Sequence, residues 1–245
     1  MKSKRNQSTN LSEIPVVILA GGKGTRLQEK TVRIPKPLIK IKKKKLVEII
    51  IQHYRNFGIK KIYIAAGYRH KIISKYFKND KNIKVINTGL NTLTGKRIKF
   101  LEKEIKSSNF FLTYGDGICN VNILKLYKYH LNHNKIATLT AVRPPSRFGV
   151  LNIKYNQLKS FEEKAQLDNG WINGGFFVFN KNFFKFLGNK DVMLEREPLV
   201  KLCQRKQINV FLHRGFWRCV DTPRDLELLK DIKLEKIKWS KKISF

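Results

Sequence analysis

A chain of 245 residues that is 42% apolar and 11% aromatic can bury a substantial core, which excludes disorder, and it has no run of roughly 18 apolar residues to span a membrane. The 51 Lys and Arg against 18 Asp and Glu leave a net charge of +33, a field that attracts anions, yet no Arg-rich recognition helix, aromatic RNP string or Cys/His finger accompanies it. Cys119, Cys203 and Cys219 are odd in number and form no Cys-x-x-Cys pair, which argues against a disulfide frame or a thiolate zinc site and predicts a reducing compartment, the cytoplasm.

Residues 1–13 are polar, lack the apolar core of a secretory signal, and read as a loose tail. Val16-Val17-Ile18-Leu19 is short and β-branched enough for a buried parallel strand. Three glycines in Leu19-Ala20-Gly21-Gly22-Lys23-Gly24-Thr25-Arg26-Leu27 end it. Glycine admits positive φ and lets backbone N–H groups approach phosphate oxygens without a Cβ in the way. Arg26 adds a planar fork of donors, and Lys36 adds a compact charge between Pro35 and Pro37, which predict extended backbone there. Together they form a clamp suited to a triphosphate. The dinucleotide fingerprint would need glycine at Leu27, and a P-loop would need Gly-Lys-Ser/Thr, so neither fits.

Residues 38–41 predict a short strand and 42–45 a charged turn. Leu46, Ile49, Ile50, His53, Tyr54 and Phe57 mark one face of a helix stopped by Gly58, with His53 a packed neighbour and not a ligand. A strand over 61–67, a helix over 69–78 and a strand over 83–86 follow, the signature of a parallel sheet with right-handed crossovers. A polar loop at 91–97 opens the segment 98–106. The apolar run 110–114 ends in Gly115-Asp116-Gly117, a carboxylate at the strand end where α/β sheets bind ligands. A helix from Ile123 and a strand over 136–142 complete this part.

From Pro144, alternating segments at 150–153, 158–161 and 172–179 predict an antiparallel or mixed portion. Gly174 and Gly175 inside the last run mark a bulge or a close ligand. Residues 197–207 predict a helix, 210–213 a strand and 217–221 an extended piece, with Thr222 as the cap of a final helix and a basic tail from Lys233. The expected organisation is a 1–13 tail, one α/β domain over 14–232 with a nucleotide-binding part (14–143) and a sugar-binding part (144–222), and a 233–245 tail.

The glycine string with Pro35-Lys36-Pro37 resembles the opening motif of the sugar-1-phosphate nucleotidylyltransferases. Thr94-Gly95-Lys96-Arg97, Thr113-Tyr114-Gly115-Asp116-Gly117, Arg147-Phe148-Gly149, Glu163-Lys164, Asn173-Gly174-Gly175, Glu197-Pro198-Leu199, Gly215-Phe216-Trp217 and Asp221-Thr222 follow in the order seen in the glucose-1-phosphate cytidylyltransferases of that family. The resemblance implies a Rossmann-like, GT-A-like fold: a mixed, mainly parallel sheet flanked by helices, with a smaller sugar-binding β subregion. It also implies a homo-oligomer that joins CTP to α-D-glucose 1-phosphate, giving CDP-glucose and pyrophosphate. Thymidylyl and uridylyl relatives carry a Gln and a Gly-Leu/Thr-Ala string that this chain lacks, which favours cytosine.

The sugar phosphate is already ionised, so the reaction needs alignment and charge neutralisation and no general base. By the resemblance Asp116 and Asp221 hold Mg²⁺, a hard cation that takes oxygen ligands. Arg26 holds the leaving phosphates and Lys36 the α-phosphate. Leu19, Ala20, Gly21, Gly22, Gly24 and Thr25, with Thr92, Arg97 and Thr113, surround the nucleotide. Glu163 and Lys164 take the sugar phosphate, and Asn173, Gly174 and Gly175 the glucose hydroxyls. Ala165 stands where the family carries proline after that lysine.

Read without the resemblance, Asp116 and Asp221 serve equally as turn or capping acids. Another base or sugar, or a nucleotide-sensing or RNA-binding protein on the same fold, are the alternatives, with any nucleic-acid binding weak and non-specific. Period two along 217–221 places Cys219 on the face of Asp221, so soft metals are expected beside the magnesium site; an inert buried thiol is the alternative.

Overall fold

Five apolar residues with no polar break leave no face for water, and Val16–Ala20 (β1) is buried throughout at the centre of the fold. The structure, a computed structural model, describes residues 10–27, 31, 33–144, 150–162 and 170–233, the side chains of 150–153 and 161–162 excepted. After β1 come 3-10 turns at Thr25–Leu27 and Lys36–Leu38, a hairpin of β2 (Lys40–Ile41) and β3 (Lys44–Lys45), α1 (Leu46–Arg55), β4 (Ile62–Ala66), α2 (His70–Phe77) and β5 (Ile83–Asn87). Then follow α3 (Thr94–Lys99), β6 (Asn109–Tyr114), β7 (Gly117–Cys119), α4 (Ile123–His133), β8 (Ala137–Val142), β9 (Val150–Lys154) and β10 (Gln157–Glu162). The chain continues through β11 (Ile172–Asn180), α5 (Phe184–Leu187), α6 (Glu197–Gln204), β12 (Ile208–His213), β13 (Trp217–Cys219) and α7 (Pro223–Asp231).

Seven strands form one sheet in the order β12-β8-β11-β6-β1-β4-β5. β1 pairs in parallel with β4 and β6, β4 with β5, and β12 with β8. Only β11 runs the other way, antiparallel to both β6 and β8. β11 and β12, from the part after residue 144, therefore complete the main sheet, while β9 and β10 pair as a separate hairpin.

Period two along β1 sends Val16 and Ile18 to one face and Val17 and Leu19 to the other. The first face packs on Ile50 and Tyr54 of α1 and Leu126 of α4. The second packs on Ile98 of α3, a run of phenylalanines from β6 and β11, and Leu202 of α6. A third, smaller cluster gathers Leu27, Ile39, Ile41, Leu46, Ile49, Ile118, Val220, Leu226 and Leu229 at one edge. Among the described residues no helix is long and apolar enough to cross a membrane.

Two local expectations change. Lys36, preceding a proline, was expected to be extended; it opens a 3-10 turn instead, capped by extended Pro35, so the proline bracket tightens the turn. The loop expected at 91–97 becomes helical from Thr94, because Thr94 Oγ1 accepts the Leu194 N–H and Leu93 N–H bonds to Asp191 Oδ1, docking α3 under the 189–195 segment.

Candidate active site

The glycine turn after β1 owes its shape to two different needs. Only Gly24 of its three glycines has positive φ (67°). Gly21 is required for space: a Cβ there would lie 2.1 Å from the Arg97 Cζ. Arg97 is buried and its guanidinium ties the glycine turn to the turn at 88–90. Its Nη1 donates to Thr88 Oγ1 (2.6 Å) and Gly89 O (2.7 Å), and its Nη2 to Leu90 O (3.1 Å) and Gly21 O (3.2 Å). It thus braces the floor of the turn from beneath.

The third apolar cluster mounts the charged residues. Leu27 and Ile39 anchor the flanks of Arg26 and the Lys36 turn, Ile118 anchors β7 beside Asp116, and Val220 and Leu226 flank Asp221. β13 lies antiparallel on β7 with Cys219 opposite Gly117, and the Val220 N–H donates to Asp116 O at 2.9 Å. Asp221 then leads into α7, whose Thr222 cap accepts from the Asp225 N–H while Asp225 Oδ2 accepts from the N–H groups of Asp221 and Thr222.

Four side chains converge. Lys36 Nζ donates to Asp116 Oδ2 (2.7 Å) and Asp221 Oδ1 (2.9 Å), and Arg26 Nη1 to Asp221 Oδ2 (3.0 Å). Lys36 is 11% exposed, each aspartate 30% and Arg26 76%, so the cluster opens outward past the arginine. Burial alone would lower the Lys36 ammonium, but the two carboxylates together hold it above the usual lysine range. Burial pushes Asp221 up, and Lys36 and Arg26 outweigh it and hold Asp221 below the usual carboxylate range.

One ligand atom each from Asp116, Cys219 and Asp221 lies within 4.8 Å of the others. Oxygen donors at that spacing fit a hard divalent cation, and the Lys36 ammonium already occupies a cation's position between them. Two carboxylates cancel the charges of Lys36 and Arg26, so a divalent cation would leave the cluster doubly positive, matched to polyphosphate.

A Nucleotidyl transferase family profile matches residues 15–230. The chain belongs to the nucleotidyl transferase family. It is 38% identical to the glucose-1-phosphate cytidylyltransferase of Salmonella typhimurium, over 88% of this chain and 94% of that one. It is 35% identical to the probable glucose-1-phosphate cytidylyltransferase of Bacillus subtilis, over 86% of this chain and 92% of that one. The crystal structure of HddC from Yersinia pseudotuberculosis superposes with a TM-score of 0.69 at 26% identity, over 89% of this chain and 98% of that one.

Arg26, Lys36, Asp116 and Asp221 come together. Gly22 and Thr25 are exposed on the turn, with Leu19, Ala20 and Gly21 buried at the strand end beneath it. Thr113 is fully buried inside β6, and Thr92 packs against Gly89, where a Cβ would lie 2.7 Å from its Oγ1. Glu163 and Lys164 lie outside the described residues.

Sequence reasoning overlooked a network around Asn173 of this nucleotidyl transferase. Asn173 Nδ2 donates to Tyr114 Oη (3.2 Å), which donates to Glu195 Oε1 (2.5 Å), and Glu195 Oε2 accepts from Thr94 Oγ1 (3.0 Å). Gly175, at φ 76°, leaves room for the Tyr114 ring, and its N–H bonds to Asn173 Oδ1. Trp217 Nε1 donates to Gly174 O at 2.8 Å, joining this bulge to β13. The Trp171 ring carries two guanidiniums, Arg143 at 4.8 Å and Arg214 at 5.4 Å. Glu195, two residues before the Glu197-Pro198 helix start, was the discoverable member: an acid there invites a partner across the chain.

Proposed function

We propose that this nucleotidyl transferase joins CTP to α-D-glucose 1-phosphate, giving CDP-glucose and pyrophosphate. The carrying observation is the convergence of Arg26, Lys36, Asp116 and Asp221 beside the glycine turn. The similarity to a Salmonella protein of that activity over most of the chain supports the choice of substrates.

In this reading Asp116 and Asp221 hold Mg²⁺, which when bound offsets charge on the phosphate oxygens. Lys36 turns from the carboxylates to the α-phosphate, and exposed Arg26 receives the departing pyrophosphate. Backbone N–H groups of the glycine turn receive triphosphate oxygens, with Gly21 held in register by Arg97. The incoming oxygen of the sugar phosphate is anionic, so the residues align and neutralise; none has to remove a proton. Asn173 and the Gly174–Gly175 bulge face the sugar hydroxyls. Glu163 and Lys164, together with the two arginines on Trp171, are assigned to its phosphate. A homo-oligomer in the cytoplasm completes the proposal, and the three free cysteines agree with a reducing setting.

The test is pyrophosphate release over a matrix of nucleoside triphosphates and sugar 1-phosphates with Mg²⁺. Highest kcat/KM for CTP with glucose 1-phosphate supports the proposal. A preference for another pair reassigns base or sugar. No turnover with any pair, alongside salt-resistant RNA binding, replaces it with a non-catalytic role.

A further inference from the structure

Cys219 is not needed by the chemistry above, yet the fold sets it at the cation site. Its place opposite Gly117 in the β7–β13 ladder puts it next to Asp116 in space and two residues from Asp221 in sequence. Its Sγ and one oxygen of each carboxylate lie within 4.8 Å of one another. The Lys36 ammonium bridging the carboxylates marks independently where a cation rests. Small side-chain adjustments would bring all three donors onto one ion.

We propose that Asp116, Asp221 and Cys219 form a mixed oxygen–sulfur site in which thiophilic divalent cations, of the zinc or cadmium class, bind through Sγ and displace the hard ion. The inference rests on the reading of Asp116 and Asp221 as the cation site. Hard Mg²⁺ draws only on the carboxylates and substrate oxygens, whereas a softer ion gains a thiolate bond from the same position. On binding, the sulfur–metal bond forms as the thiol proton passes to solvent, with no change of oxidation state. Such ions would therefore hold the enzyme in a form from which Mg²⁺ is excluded. A sulfur-free site with the same carboxylates would lack this sensitivity.

Cadmium titration of the metal-stripped chain, without substrates, tests this by its sulfur-to-cadmium charge-transfer absorption. The exposed Cys203 is first replaced, Cys203→Ser, so that it cannot contribute. The expected result is a band that saturates at one cadmium per chain and shifts to at least about tenfold higher cadmium in Asp116→Asn. The band is lost when Cys219→Ser or Cys219→Ala is added, with circular dichroism confirming that at least one of these folds. A band of undiminished intensity in the folded Cys219 variants, or calorimetric cadmium binding without any band in the parent, overturns the proposal. Nucleotidyl transfer with Mg²⁺ is measured separately. Turnover without a band sinks only the sulfur ligand, and a band without turnover with any substrate pair sinks only the proposed reaction.

Discussion

The backbone N–H of Val220 donates to the carbonyl oxygen of Asp116 at 2.9 Å. That bond fixes the backbone before Asp221 to the backbone of Asp116, so two carboxylates far apart in the chain face a single ammonium. The geometry rests on main-chain pairing and on buried Val220, Ile118 and Leu226, not on the charges themselves.

Lys36→Met should therefore separate catalysis from metal binding. The ammonium neutralises the carboxylates and, in the proposed reaction, serves the α-phosphate, so its loss should cut kcat by about 10²–10³-fold. The freed carboxylates should bind Mn²⁺ more tightly in the absence of nucleotide, as read by electron spin resonance. Weaker Mn²⁺ binding would contradict the bridging position of Lys36.

Gly21→Ala and Gly22→Ala make a contrasting pair. The first adds a Cβ 2.1 Å from Arg97 Cζ, while the second adds one in open space. Displacing Arg97 breaks its buried bonds to Gly21 O and Thr88 Oγ1 and its bonds to Gly89 O and Leu90 O, so Gly21→Ala should lose roughly 2–4 kcal/mol in urea unfolding and its thermal shift with CTP. Gly22→Ala should stay within about 0.5 kcal/mol. Equal effects would mean that Arg97 does not set the turn.

Acid should weaken the fold through two histidines. Burial holds His53 and His130 neutral, with pKa values pulled down to about 4. His53 Nε2 is bonded to Val121 O, and His130 Nδ1 to Thr138 Oγ1. Unfolded histidine takes its proton near pH 6.5, so between about 6.5 and 4 the unfolded chain binds more protons and stability falls as pH falls. The loss approaches roughly 3 kcal/mol per histidine across that window. Urea midpoints at a series of pH values would show it, and a flat profile from neutral to pH 5 would exclude it.

Glu195→Ala should act on the sugar side. Glu195 accepts from Tyr114 and Thr94, and Tyr114 in turn accepts from Asn173. Loss of both charge-assisted bonds should raise KM for the sugar phosphate by about 5–10-fold, leaving KM for CTP within about twofold. Glu195→Gln, which retains an acceptor, should recover most of the difference. A larger change in the CTP term would place Glu195 with the nucleotide.

The periodic elements were legible because their signals are local. The unbroken apolar β1, the helix stripe from Leu46 and the Thr222 cap with Asp225 all form as their residues dictate. The four converging charges were legible through their motifs. Arg97 was visible as a motif residue, but its place beneath the turn was not, since its partners come from turns 7 to 76 residues away. The antiparallel sense expected around 172–179 appears in β11, whereas the Glu195 network rests on pairings between distant segments, which no window of sequence contains.

The third apolar cluster gives the site an order of birth. A ribosome releases the glycine turn, Lys36 and Asp116 long before Val220, Leu226 and Leu229. The early residues gain their complete apolar mount only once those late side chains arrive and β13 zips onto β7. A nascent product that stops short of these residues therefore lacks the assembled constellation, so competence arrives in one step once residues 217–229 have emerged.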